Sequence, residues 1–253
     1  MQPSVHSDEE QFQITASMDD SGRATLRIVG QLDLVTEPEL QSELDRLLVR
    51  GPAELCLDLS SATFFLVAAL LVKESNLVIH GVGLNPTRSS LLDFLVSIGA
   101  NIRILDLQQS GGEVIGDLRV QASRVKGGVI EGALTAGLID EIPALAVLGA
   151  ASENGLTVRD AAELRVKETD RIATIEMNLK RMGVAIESTP GGFHVGGRQQ
   201  FHAAEIDSCG DHRIAMAFSV AALAADGPCI IDGSECAGVS FPEFFSTLRQ
   251  IAS

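Results

Sequence analysis

Apolar and polar residues alternate from Gln11 to Met18 and again from Arg23 to Val29, with the turn-forming run Asp19-Asp20-Ser21-Gly22 between them. A period of two on either side of a turn predicts a pair of strands. Thr36 is a good helix N-cap, and behind it Leu40, Leu44, Leu47 and Leu48 recur at helical spacing. Pro38 falls in the first turn, where proline is tolerated, and Gly51-Pro52 ends the run. Glu54 to Leu59 alternates once more, with Leu55, Leu57 and Leu59 on one face, and predicts a further strand. Residues 1–59 therefore read as β-β-α-β.

From Ser60 onward glycine becomes frequent and one unit recurs: a strand, a loop, an amphipathic helix, a glycine and another strand. One copy runs from Leu77-Val78-Ile79 through Leu91 to Leu95 and on to Gly99-Ala100-Asn101-Ile102-Arg103-Ile104. A second runs from Leu156-Thr157-Val158 through Ile172 to Leu179, then Gly183-Val184-Ala185-Ile186. A third, partial copy is the helical run Ile214 to Ala225 followed by Cys229-Ile230-Ile231. Units too small to bury a core alone pack against one another, so residues 60–253 are expected to form one α/β domain of three repeated units. Strand order does not follow from the pattern.

Composition narrows the function. The 253 residues carry a formal charge of −15, with a pI near 4.7, and repulsion from phosphates argues against a nucleic-acid partner. Trp and Tyr are absent, which leaves few platforms for base stacking. The longest apolar run, Phe64 to Val72, stops at Lys73 and Glu74, too short for a membrane span. Met1 to Glu10 is polar and acidic, unlike a signal peptide, so a cytoplasmic location is expected. Cys56, Cys209, Cys229 and Cys236 form no C-x-x-C pair and read as reduced thiols, with no metal site expected.

An acidic protein that binds an anionic metabolite must gather its cations locally. Two segments do so: Arg165-Val166-Lys167-Glu168-Thr169-Asp170-Arg171 and Gly210-Asp211-His212-Arg213. Each directly precedes a helical run. Helix N-termini attract anions and disfavour cations, so Lys167, Arg171 and Arg213 are out of place unless an anion joins them. A second reading makes both segments solvated caps, with Glu168 capping N–H groups and Arg171 paired to it at i, i+3.

The wording of these segments carries a resemblance. Leu164 to Ile172 (L-R-V-K-E-T-D-R-I) and Asp211 to Met216 (D-H-R-I-A-M) are similar to hallmark motifs of EPSP synthases. Asn85-Pro86-Thr87-Arg88, Leu138-Ile139-Asp140-Glu141-Ile142-Pro143, Ser240-Phe241-Pro242-Glu243-Phe244-Phe245 and Ser60 to Ala69 match in order as well. The resemblance covers about residues 60–253, the C-terminal half of such an enzyme. It implies half of an inside-out α/β barrel and enolpyruvyl transfer from phosphoenolpyruvate to the 5-hydroxyl of shikimate 3-phosphate, with no metal or organic cofactor. By the same resemblance Arg171 and Arg213 hold the phosphoenolpyruvate carboxylate and Asp140 accepts the hydroxyl proton. Lys167 binds that oxygen, and Glu168 delivers and later removes a proton at the methylene carbon. Asp211 and His212 support the second arginine.

Residues 12–65, from Gly30-Gln31-Leu32-Asp33-Leu34 to Leu57-Asp58-Leu59-Ser60 and Thr63-Phe64, resemble the opening of a STAS domain. Where that family carries a phosphorylatable serine this chain has Leu66-Val67-Ala68-Ala69-Leu70, so the switch function does not carry over. The expected organisation is a truncated STAS-like segment, 1–59, fused to an EPSP-synthase C-terminal domain, 60–253. A family subset has a lysine where this chain has Val239, and the shikimate-binding motifs of the family's first domain do not occur in Met1 to Leu59. The chain is thus expected to hold one wall of a two-domain cleft, to turn over weakly alone, and to need a separate first domain. The competing readings are a STAS-type interaction module and an inert fusion product.

Overall fold

The computed structural model describes residues 13–18, 24–29, 58–84, 90–110 and 113–251. The chain divides into two compact units, Met1–Cys56 and Leu57–Ser253. In the first, β1 (Gln13–Met18) and β2 (Ala24–Val29) pair antiparallel, from Gln13 opposite Val29 to Met18 opposite Ala24. The predicted turn at Asp19 to Gly22 and the helix behind Thr36 lie outside the described residues.

The second unit opens with a departure from expectation. The strand read over Glu54–Leu59 does not extend to its last residue, because Leu59 begins helix α1 (Leu59–Leu71). Asp58 is extended, and its carboxylate accepts the Ser61 N–H at 3.0 Å and the Ser61 hydroxyl at 2.9 Å. Asp-Leu-Ser-Ser is a capped helix start, and the cap prevails over the leucine alternation that precedes it.

Next come β3 (Asn76–Gly83), α2 (Ser90–Ser97), β4 (Asn101–Ser110) and β5 (Glu113–Gln121). The three strands form an antiparallel sheet in the order β3-β5-β4. Then follow β6 (Gly128–Ile130), α3 (Ala133–Gly137), α4 (Ile142–Ala151), β7 (Leu156–Val158), a 3-10 turn over Ala162–Val166, α5 (Arg171–Arg181), β8 (Ile186–Thr189) and β9 (Gly192–Val195). Their sheet has the order β6-β7-β9-β8, with β6 and β7 parallel. Last are β10 (Glu205–Asp207), α6 (His212–Leu223), β11 (Ile230–Asp232), a 3-10 turn over Ser234–Val239 and α7 (Phe244–Ile251), with β10 and β11 parallel.

The strands that flank α2 and α5 are not neighbours. In each sheet a third strand lies between them, β5 in one and β9 in the other. The glycine after each helix also has a shared cause. Gly99 N–H donates to the Val96 carbonyl and Ala100 N–H to that of Leu95; Gly183 N–H donates to Lys180 and Val184 N–H to Leu179. Both are Schellman stops, which need a left-handed residue, and Gly99 and Gly183 have φ of +97° and +79°.

Helices α1, α4 and α6 pack against one another at the centre. They are apolar all round rather than striped, so each is buried along most of its length, as from Ala62 to Leu70 and from Ile142 to Ala150. Phe64 and Phe65 of α1 pack on Phe241 and Phe244, with edge-on ring centroids 5.8 Å apart for Phe64–Phe244 and 5.7 Å for Phe65–Phe241. A buried Phe contributes about 2–3 kcal/mol and an edge-on pair about 1 kcal/mol more. This cluster fastens the C-terminal helix to the first.

Candidate active site

A cleft of about 370 Å³ lies at the helix starts, within the size range of small-molecule sites. Asp58, Leu59 and Ser60 bring the start of α1 to it, Asp140 and Glu141 the start of α4, and Arg213 the start of α6. The first N–H groups of a helix have no partner within it, and its dipole is positive at that end. Three such ends on one cleft make a field that favours an anion.

The two charged segments meet beside this cleft, joined to it through Asp140, which pairs with Arg171 and Lys167. Asp170 caps α5 by accepting the Ala173 N–H at 3.0 Å, and Asp211 caps α6 by accepting the N–H of Arg213 at 2.9 Å and of Ile214 at 3.4 Å. Arg171, the first residue of α5, is 1% exposed. Its Nε donates to Asp211 Oδ2 at 2.7 Å, its Nη2 to Asp211 Oδ1 at 3.3 Å and Glu168 Oε2 at 2.5 Å, and its Nη1 to Asp140 Oδ1 at 3.0 Å. The i, i+3 pairing with Glu168 is present, but it ties a half-exposed Glu168 to the buried Arg171 rather than forming a cap. Asp170 supplies the cap in place of Glu168. Asp211, read as support for Arg213, ion-pairs with Arg171.

Asp140 is the hub. Its Oδ1 also lies 3.7 Å from Lys167 Nζ and 4.0 Å from Arg213 Nε. Burial acts to raise its carboxyl pKa, but Arg213, Lys167 and Arg171 together outweigh that and hold it below the usual carboxylate range. The Glu163 carboxylate, 2.8 Å from Lys167 Nζ, raises the lysine pKa against desolvation. At neutral pH the cleft therefore presents an ionised carboxylate that can accept a proton beside an ammonium. Glu168 is half exposed beside them.

Arg213 is bound differently from Arg171. Its Nη1 donates to the Asp140 carbonyl at 2.9 Å, and its nearest carboxylate oxygens, on Glu141 and Asp140, are 3.9 and 4.0 Å away. Its charge is less neutralised, and its side chain lines the cleft. His212 is half-buried; burial, then Arg213, lower its pKa, so its imidazole is neutral at pH 7. The structure places the side chains of Asp140, Lys167, Glu168, Arg171 and Arg213, which the sequence singled out, next to one another. Sequence reasoning missed Ser60 and Glu141, whose side chains are hydrogen-bonded to each other in the cleft wall. The one available signal was a glutamate set directly before a helix with no other charge. Asn85 to Arg88 of the matching motifs lie outside the described residues.

The family model for EPSP synthase (3-phosphoshikimate 1-carboxyvinyltransferase) matches residues 44–248. Its start lies inside the segment that was expected to be STAS-like. A 3-phosphoshikimate 1-carboxyvinyltransferase of Solibacter usitatus is 64% identical over 195 residues, 77% of this chain and 46% of that protein. One of Roseiflexus castenholzii is 43% identical over 228 residues, 90% of this chain and 52% of that protein. The solved EPSP synthase of Acinetobacter baumannii superposes with a TM-score of 0.74 at 32% identity, over 94% of this chain and 51% of that one. The enolpyruvyl transferase NikO of Streptomyces tendae shares the fold, with a TM-score of 0.57 at 16% identity. The chain spans about half the length of the curated relatives it matches. With most of its residues under the family model and its two charged motifs ion-paired to each other through Arg171 and Asp211, the chain belongs to the EPSP synthase family.

Proposed function

We propose that this chain provides one wall of a site for enolpyruvyl transfer from phosphoenolpyruvate to shikimate 3-phosphate. The observation that carries the reading is the meeting of three helix N-termini, an incompletely neutralised Arg213 and an ionised Asp140 on one cleft. Arg213 offers a planar donor edge to the phosphoenolpyruvate carboxylate. Asp140 takes the proton of the attacking hydroxyl, and Lys167 holds that oxygen. Glu168 gives a proton to the methylene carbon as the new C–O bond forms, then takes one back as phosphate leaves. For Arg171 to share the carboxylate, Glu168 must leave Nη2, and the same movement frees Glu168 for the substrate. His212, neutral and beside Arg213, completes the substrate-binding set.

The finer organisation is also proposed. Residues 60–253 form three repeated α/β units, half of an inside-out barrel, and a first domain supplies the shikimate-facing wall and excludes water. The placement of β5 and β9 between the strands flanking α2 and α5 supports the repeat. A STAS-like segment over 1–59 gains no support, since the family match starts at residue 44. An NMR titration of the chain with phosphoenolpyruvate tests the carboxylate contact. Arg213→Ala is expected to weaken binding at least about tenfold, the loss of a charged hydrogen bond. Equal binding by the variant contradicts the contact.

A further inference from the structure

We propose that Glu141, tethered by Ser60, is the positioning residue for Arg213, and that this pair fixes the guanidinium on the cleft wall where it can meet an anionic substrate. The inference rests on the reading of the cleft as an anion site. Glu141 stands directly before α4, a helix with no charged residue in its first turn. A glutamate there could fold back onto its own helix, but its side chain makes no capping bond. It turns instead into the wall, where its carboxylate accepts the hydroxyl of Ser60, in the first turn of α1. The side chain is 9% exposed.

A buried carboxylate is costly unless something holds it there. Here Ser60 supplies a hydrogen bond and Arg213 supplies charge from the start of α6, with Oε1 and Nη1 3.9 Å apart. The same Nη1 donates to the carbonyl of Asp140, one residue away. Arg213 is thus held by two adjacent residues of one segment, through a neutral carbonyl and an offset carboxylate. That arrangement orients the guanidinium without neutralising it. Arg171 shows the contrast, with carboxylate oxygens of Glu168, Asp140 and Asp211 at 2.5, 3.0 and 2.7 Å. Among the described residues, the other carboxyl groups lining this part of the cleft are Asp58 at the start of α1 and Asp140 beside Glu141. Through Glu141, the starts of α1, α4 and α6 are joined, so a shift of α1 is transmitted to the arginine.

The test uses the full chain and two readings. The first is the Arg213 Nε–H signal in the ligand-free protein by nitrogen–proton NMR. Glu141→Ala is expected to shift and broaden it, and Ser60→Ala to do the same to a smaller extent. Glu141→Gln, which can still accept from both neighbours, is expected to keep it near the wild-type position. A signal that ignores all three changes overturns the proposal. The second reading is phosphoenolpyruvate affinity, expected to fall about tenfold in Glu141→Ala and to return to within about threefold of wild type in Glu141→Gln. Wild-type affinity in Glu141→Ala, or no recovery with Gln, also overturns it. If Arg213 responds to Glu141 but the wild-type chain binds no phosphoenolpyruvate, the positioning stands and the anion-site reading falls. Should Glu141→Ala fail to fold, Ser60→Ala carries both readings.

Discussion

Arg171 and Asp211, 40 residues apart, form a two-bond ion pair in the interior, with Nε–Oδ2 at 2.7 Å and Nη2–Oδ1 at 3.3 Å. Their side chains are 1% and 0% exposed. Asp211 also caps α6, so one carboxylate fixes both the arginine at the head of α5 and the direction of the helix that carries Arg213. Removing Asp211 takes the fully buried partner from Arg171, leaving only the part-exposed Asp140 and Glu168, and removes the cap of α6 as well. Asp211→Ala is therefore expected to destabilise the chain by about 3–5 kcal/mol, read from urea unfolding. The double change Arg171→Met with Asp211→Leu is expected to cost less than the single one. A loss below about 1 kcal/mol for Asp211→Ala would show that the pair is solvated, contrary to its burial.

Glu141 gives a prediction in pH. Burial raises its carboxyl pKa above the ordinary 4.5, with Ser60 and Arg213 opposing the shift. The folded chain then holds this proton more tightly than the unfolded chain. The contribution favours folding fully below 4.5 and is lost as pH rises through the folded-state value. Glu141→Gln removes that loss. Its melting temperature is expected to match wild type more closely at about pH 4 and to gain on it toward pH 7. A difference that does not change with pH would contradict the raised value.

The Schellman stop after α5 is expected to be intolerant of a side chain. Gly183 has φ +79°, and a Cβ there would lie 2.5 Å from His202 Cδ2. At Gly99, also left-handed, the nearest atom would be 3.7 Å away. Gly183→Ala is expected to cost about 2 kcal/mol or more and Gly99→Ala about 1 kcal/mol, by thermal or urea unfolding. Equal costs would mean that His202 moves aside freely.

These residues show what the sequence made legible. The cations of R-V-K-E-T-D-R and D-H-R stand out because they precede helices, where their charge is unfavourable, and the helices do begin at Arg171 and His212. The glycines of the repeat are visible because each stop needs a positive φ. The motifs also sort by cause: Asp140 and Arg213 line the cleft and Lys167, Arg171 and Glu168 are ion-paired behind Asp140, whereas Phe64, Phe65, Phe241 and Phe244 are packing. What escaped was tertiary. Asp211 has a cation two residues away, yet pairs with one 40 residues away, because α5 and α6 start side by side. The bond from Ser60 to Glu141 spans 81 residues and has no local pattern. At Leu59 two local signals competed, and a cap on the next turn outweighed an alternation of leucines.

The most direct measurement is phosphate release from phosphoenolpyruvate by this chain mixed with a separately expressed first domain from a family member. The account predicts release only when shikimate 3-phosphate and both polypeptides are present, falling at least about 100-fold in Glu168→Ala as a proton-transfer group is lost. No release from the wild-type mixture, or release undiminished in Glu168→Ala, would contradict it.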